Sequence, residues 1–203
     1  QMCIRDRATV APAHFGSDVH GKTLGIVGLG NIGAAVARRG RFGFNMPILY
    51  SGNSRKAELE QELGARYVSL EQLLAEADFV CLVVPLSAHT KHLIGAEQLK
   101  QMKRSAFLIN ISRGPVVDEA ALVEALQNGT IRGAGLDVYE KEPLSESPLF
   151  ALSNAVTLPH IGSATAETRE AMANRAIDNL RAALLGERPR DLVNPQAVSY
   201  THL

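Results

Sequence analysis

The chain has 203 residues, 46% hydrophobic and 21% charged, with 21 Lys and Arg balanced by 21 Asp and Glu. That is the composition of one globular domain with tails, or of two small ones, and it excludes disordered and fibrous classes. With no basic excess, neither nucleic acid nor an anionic membrane surface is an expected partner, and two cysteines cannot build a disulfide framework.

In chain order, Gln1–Arg7 carries charge with no apolar stretch behind it, so no signal peptide is expected. Thr23–Val27 reads as a strand, and Asn31–Arg39 as a helix with Ile32 and Val36 on one side. A second strand is predicted at Pro47–Tyr50. A charged helix follows at Arg55–Leu63, stopped by Gly64. Ser69 and Gln72 form a capping-box pattern that opens a helix over Leu70–Ala77. Phe79–Val84 and Ala106–Asn110 are apolar runs of the kind buried on both faces of a parallel sheet. The longest apolar stretch, Phe79–Leu86, is far short of the ~20 residues of a membrane helix. Cys81 within it reads as a small buried hydrophobe, and a reducing, cytoplasmic location is expected. Asp118 caps a helix over Glu119–Gln127, closed by Gly129. Strands are predicted at Ile131–Val138 and Ala155–Leu158, with a long irregular segment, Tyr139–Pro148, between them. The last helix, Ala166–Leu185, places Met172, Ala173, Ala176, Ile177, Leu180 and Leu184 on one face, and Gly186 ends it. Strands alternating with helices imply βαβ units. The expected fold is therefore α/β, a Rossmann-type doubly wound parallel sheet with helices on both faces.

Gly28-Leu29-Gly30-Asn31-Ile32-Gly33 matches G-x-G-x-x-G between a predicted strand and helix. In that setting Gly28 permits the tight turn, Gly30 admits a pyrophosphate close to the backbone, and Gly33 lets helix pack on strand. The helix N-terminus offers amide groups and a partial positive charge to the phosphates. Where an NAD site usually carries an acid at the end of the second strand, this chain has Ser51, followed by Gly52, Asn53, Ser54, Arg55 and Lys56. A cationic, hydroxyl-rich loop suits a 2′-phosphate, so NADP is the expected cofactor, with NAD as the alternative. The competing reading makes Arg55 and Lys56 the solvated first turn of a helix.

Three polar residues follow predicted strands, where α/β sheets place their sites: Arg113, Glu142 and His160. They suit a reductase. Histidine can protonate the oxygen of a carbonyl that receives hydride. A carboxylate beside the imidazole orients it and raises its pKa. Arginine can grip a substrate carboxylate with two parallel hydrogen bonds. No metal is expected: His89 and His92 stand three apart, with no further ligands converging in sequence. No Gly-x-Ser-x-Gly elbow is present.

His20-Gly21-Lys22-Thr23-Leu24-Gly25-Ile26-Val27 running into the glycine motif, Asn110-Ile111-Ser112-Arg113-Gly114-Pro115-Val116-Val117-Asp118, Gly135-Leu136-Asp137-Val138-Tyr139-Glu140-Lys141-Glu142-Pro143-Leu144 and Leu158-Pro159-His160-Ile161-Gly162-Ser163-Ala164-Thr165 resemble the D-isomer-specific 2-hydroxyacid dehydrogenases. The likeness spans roughly His14–Pro195 and is strongest to the glyoxylate/hydroxypyruvate reductases, including bacterial ones that reduce 2-ketogluconate. It implies reduction of small 2-keto acids to D-2-hydroxy acids, with Arg113 binding substrate, Glu142 assisting and His160 as acid/base. It also implies that Asp137 meets the nicotinamide carboxamide, that Pro85 and Ile111 line the cofactor cleft, that Gly162 belongs to the same site, and that the protein is a homodimer. The expected organisation is a tail over residues 1–17, a dinucleotide-binding domain carrying the catalytic residues over 18–188, and a tail over 189–203. The family's separate substrate domain is expected to be largely missing. Asn53 departs from the arginine that NADP-using relatives often carry. The other function class is a dinucleotide-binding module, either a corepressor-like sensor or an inactive part of a reductase.

Overall fold

The computed structural model describes residues 16–194. Residues 1–15 and 195–203, where most of the two expected tails fall, lie outside them. The elements in chain order are β1 (Leu24–Val27), α1 (Asn31–Arg38), β2 (Ile48–Ser51), α2 (Ala57–Leu63), β3 (Arg66–Tyr67), α3 (Leu70–Glu76), β4 (Phe79–Leu82), α4 (Ala96–Gln101), β5 (Phe107–Asn110), α5 (Glu119–Gln127), β6 (Gly133–Leu136), β7 (Ala155–Thr157) and α6 (Ala166–Leu184). The chain divides into two compact units, with the boundary between Pro159 and His160.

The first unit is built on a seven-stranded sheet ordered β3-β2-β1-β4-β5-β6-β7, and every neighbouring pair is parallel. The chain winds outward from β1 to β3, then crosses back to lay β4 on the other side of β1. That reversal opens a crevice at the carboxyl ends of β1 and β4, where ligands of such sheets bind. Side-chain alternation along the strands feeds two cores. Leu24, Ile26, Ile48, Tyr50 and Cys81 pack with Ala37 of α1 and Leu63 of α2. Val27, Leu49, Val80, Leu82 and Leu108 pack with Leu73 of α3, Leu99 of α4 and Leu122 of α5. Helices thus cover both faces, as a doubly wound sheet requires. Burial pushes the Cys81 thiol up to about 12.

Local chemistry explains most boundaries. Ser69 caps α3 by accepting from the Gln72 amide at 3.2 Å, and Asp118 caps α5 by accepting from Ala121 at 3.0 Å. The Gln72 side chain, the other partner of the expected box, donates through Nε2 to Glu76 at 2.7 Å. α1 runs on into one π-turn, Arg39–Gly43. The predicted strand Ile131–Val138 is cut to Gly133–Leu136. β3 and α4 have no counterpart in the sequence-based elements. In the second unit α6 is helical as expected, but none of its residues is buried. Among the described residues no helix is long and apolar enough to cross a membrane.

Candidate active site

The three glycines of the β1–α1 loop meet three different demands. Gly28 has φ +100, in the left-handed region, and a Cβ there would stand 2.9 Å from the Val83 carbonyl oxygen. A Cβ on Gly33 would stand 2.3 Å from the Gly28 carbonyl oxygen, so only a glycine lets α1 start so close to its own loop. A Cβ on Gly30 would meet nothing within 4 Å and would project into open space. Gly30 is also the N-cap of α1, and no side chain caps that helix. The first-turn amides, Asn31–Gly33, are left for a ligand, the arrangement that binds phosphate. A bond from the Gly28 amide to the Ser51 carbonyl, 2.8 Å, pins this loop to the end of β2.

Two clefts meet over this loop. One of about 580 Å³ is lined by Gly28, Gly30, Ser51, Gly52, Asn53, Ser54, Lys56, Val84, Pro85 and His89, among others. The other, about 530 Å³, is lined by Ile32, Val84, Pro85, Ile111, Ser112 and Arg113. They share Val84 and Pro85, so a trough runs from the end of β2, across the glycine loop, to the end of β5. Each part alone lies in the ~300–1,000 Å³ range of small-molecule sites. The open space at Gly30, the uncapped helix and the elongated trough fit a dinucleotide.

The loops around the trough are held by specific bonds. Thr90 Oγ1 donates to the Pro85 carbonyl at 2.7 Å and accepts from the Ser87 amide at 2.8 Å, fixing the turn after β4. Asn110, buried at the end of β5, accepts from the Ser112 amide at 3.0 Å and hydroxyl at 2.7 Å. Its amide group donates to the Arg113 carbonyl at 3.1 Å. Asn110 therefore shapes the turn that presents Arg113. The next residue, Gly114, touches the segment that carries Glu142: a Cβ there would fall 1.8 Å from the Tyr139 carbonyl carbon and oxygen. Glu142 Oε1 in turn accepts from the Tyr139 amide at 3.0 Å, while the Tyr139 hydroxyl donates to the Leu158 carbonyl at 2.8 Å, just past β7. His92 Nε2 lies 2.6 Å from Glu140 Oε1, a further tie between the β4–α4 and β6–β7 connections.

Of the expected site residues, Gly28, Gly30, Ile32, Ser51, Asn53, Ser54, Pro85, Ile111 and Arg113 line the joined trough. Asn31 and Gly33 stand in the first turn of α1. Asp137 is buried immediately after β6. His160 opens the second unit with φ 54, a left-handed backbone uncommon outside glycine, and Gly162 follows it there.

Arg55 departs from expectation. It does not line the trough. Its Nε and Nη2 donate to Glu60 on α2 at 3.1 and 2.6 Å, and the neighbouring Lys56 lines the trough instead. Sequence reasoning also passed over Asn110 and Gly114 as individual residues, although both stand inside the Asn-Ile-Ser-Arg-Gly stretch. Among the described residues no group of three or more metal-ligating side chains converges.

Comparison with known proteins agrees with this geometry. The model of the D-isomer specific 2-hydroxyacid dehydrogenase NAD binding domain matches residues 4–162. Glyoxylate/hydroxypyruvate reductase B of Escherichia fergusonii is 60% identical over 190 residues, covering 93% of this chain and 59% of that protein. The Cronobacter sakazakii protein of the same name is 58% identical over 191 residues, with 94% and 59% covered. Among solved structures, the TT0316 protein from Thermus thermophilus superposes with a TM-score of 0.85 at 46% identity, covering 95% of this chain and 61% of that one. D-lactate dehydrogenase with NAD+ from Lactobacillus jensenii gives 0.83 at 30% identity, with 91% and 59% covered. The chain thus spans about three fifths of the length of these relatives. On the family match over residues 4–162 and these identities, the chain belongs to the D-isomer-specific 2-hydroxyacid dehydrogenases.

Proposed function

We propose that this chain is the dinucleotide-binding and catalytic part of a reductase that converts small 2-keto acids, glyoxylate and hydroxypyruvate foremost, into D-2-hydroxy acids. The observation that carries the reading is the trough that leads from the glycine loop to Arg113 along the carboxyl ends of β1, β4 and β5. The names of the 58–60% identical relatives support the substrate class.

The first-turn amides of α1 would hold the pyrophosphate. Ser51, Asn53, Ser54 and Lys56 would hold the ribose end, and Pro85, Ile111, Asp137 and Gly162 the nicotinamide end. When bound, the reduced cofactor supplies hydride. The guanidinium of Arg113 grips the substrate carboxylate and polarises the keto oxygen. His160 gives its proton to that oxygen as negative charge develops there. The family resemblance gives Glu142 the part of assisting His160 in that step. We further propose NADP(H) over NAD(H): Ser51 places no carboxylate against a 2′-phosphate, and Lys56 brings a cation to that end. A cytoplasmic homodimer completes the reading, supported by the family resemblance and checked by size-exclusion chromatography.

The test is NADPH oxidation with glyoxylate and hydroxypyruvate in the full-length reductase that contains this chain, parent against His160→Ala. The variant is expected to lose turnover by roughly 10²–10⁴-fold and to keep its NADPH affinity. Turnover near the parent's would show that the proton comes from another group. A parent that binds dinucleotide and reduces neither acid would favour a binding module.

A further inference from the structure

The ribose end of the trough has a second layer that the cofactor motif does not include. Arg55 stands between Ser54 and Lys56, both of which line the trough, yet its guanidinium is turned onto Glu60 through two hydrogen bonds. Glu60 is itself fixed from below. The Tyr50 hydroxyl, at the end of β2, donates to Glu60 Oε1 at 2.5 Å and accepts from the Lys56 amide at 2.7 Å. Tyr50 is fully buried in the core beneath α2. The Glu60 side chain is 17% exposed, against 68% for Arg55. The carboxylate is thus set by the core, and the arginine comes to it. The Arg55 bonds first, and the Tyr50 bond second, hold the Glu60 carboxyl below the usual carboxylate range, so it stays ionised at neutral pH.

We propose that Glu60 is a specificity-determining residue for the dinucleotide: anchored through Tyr50, it holds Arg55 away from the ribose end and leaves Lys56 as the cation that a 2′-phosphate meets there. The inference rests on reading this trough as the dinucleotide site. Its physical content is a competition between two anions for one guanidinium. A phosphate monoester carries about −1.5 to −2 charges near neutrality and would draw Arg55. Releasing Arg55 would leave an uncompensated carboxylate beside that phosphate, and the two would repel. Removing the charge at position 60 frees the cation and abolishes the repulsion together. Glu60→Gln does so while keeping an oxygen for the Tyr50 hydroxyl.

Calorimetric titration of NADPH and NADH into the 203-residue chain tests this, with the parent, Glu60→Gln, Arg55→Ala and the double variant. Glu60→Gln is expected to raise the ratio of NADPH to NADH affinity by about 5- to 20-fold, the worth of one charge-assisted hydrogen bond at an open edge. Arg55→Ala alone is expected to lower that ratio, because it leaves the Glu60 carboxylate uncompensated beside the phosphate. The double variant should return to the parent's ratio. An unchanged ratio in Glu60→Gln overturns the inference. So does a double variant whose ratio stays as low as that of Arg55→Ala, which would place Arg55 on the phosphate in the parent despite Glu60. A parent chain that binds neither dinucleotide overturns the reading of the trough and the inference with it.

Discussion

Replacing Gly114 by alanine probes the contact on which the Arg113 and Glu142 segments depend. Gly114 has no left-handed backbone, so the cost of a methyl group there is steric. The added Cβ would lie 1.8 Å from the Tyr139 carbonyl carbon and oxygen and 2.4 Å from the Glu140 nitrogen. Ordinary contact begins at 3.4 Å, so the two backbones must part by about 1.6 Å. Neither side is a flexible side chain that could swing away. Overpacking typically costs ~1–3 kcal/mol, and a clash of backbone on backbone belongs at the upper end. For a chain of this size that corresponds to a fall of roughly 6–12 °C in the unfolding midpoint, read by circular dichroism on the chain itself. In the proposed reductase the same displacement separates Arg113 from the Glu142 segment, and a misplacement of ~1 Å can cost about 10²-fold in turnover. A variant that unfolds within a degree or so of the parent would refute the reasoning, since the contact would then be dispensable.

The other predictions separate folding from binding. Gly30→Ala, whose Cβ meets nothing within 4 Å, is expected to unfold at the parent's midpoint yet lose NADPH affinity by at least about tenfold, measured by titration. Gly33→Ala should lose both, because its Cβ would collide with the Gly28 carbonyl. Asp78 accepts from the Thr23 amide and the Lys103 ammonium, each at 2.9 Å. Burial pushes its carboxyl up, but those two groups outweigh it and hold it below its usual value. Its folded pKa being depressed, the stability it contributes is present above the ordinary aspartate value, about 3.9, and is lost as pH falls through the lower folded value. Asp78→Asn should therefore lower the midpoint by roughly 2–4 °C at pH 7, with the gap closing in strong acid. Cys81, buried with its thiol pushed up to about 12, should remain unmodified by alkylating reagents in the folded chain and react after unfolding, as read by peptide mass spectrometry.

The sheet was legible in the sequence where strands are buried on both faces: Leu24–Val27 and Phe79–Leu82 are apolar runs bounded by clear turn signals. β3 was not, because its two residues, Arg66 and Tyr67, are both exposed and carry no apolar pattern. α4 was missed because six residues with a single buried side chain, Leu99, give no periodicity. Gly133 opens β6, where its missing Cβ makes room for the Asn154 carbonyl, 2.8 Å from where it would stand. The glycine motif was readable because each of its positions answers to local geometry. The direction of Arg55 was not: it turns on where Tyr50 fixes Glu60, a tertiary arrangement that two adjacent cations in a loop do not reveal. The apolar stripe of α6 was legible as helical, while the absence of any buried residue on it was not.

The central claim is that the trough above β1, β4 and β5 holds a dinucleotide that leads toward Arg113. A crystal structure of this chain grown with NADPH tests it most directly. The account predicts pyrophosphate at the first-turn amides of α1 against Gly30, the 2′-phosphate beside Ser51, Ser54 and Lys56, and the nicotinamide between Pro85 and Ile111. A dinucleotide bound away from the glycine loop, or reversed with its nicotinamide among Ser51–Lys56, would contradict it.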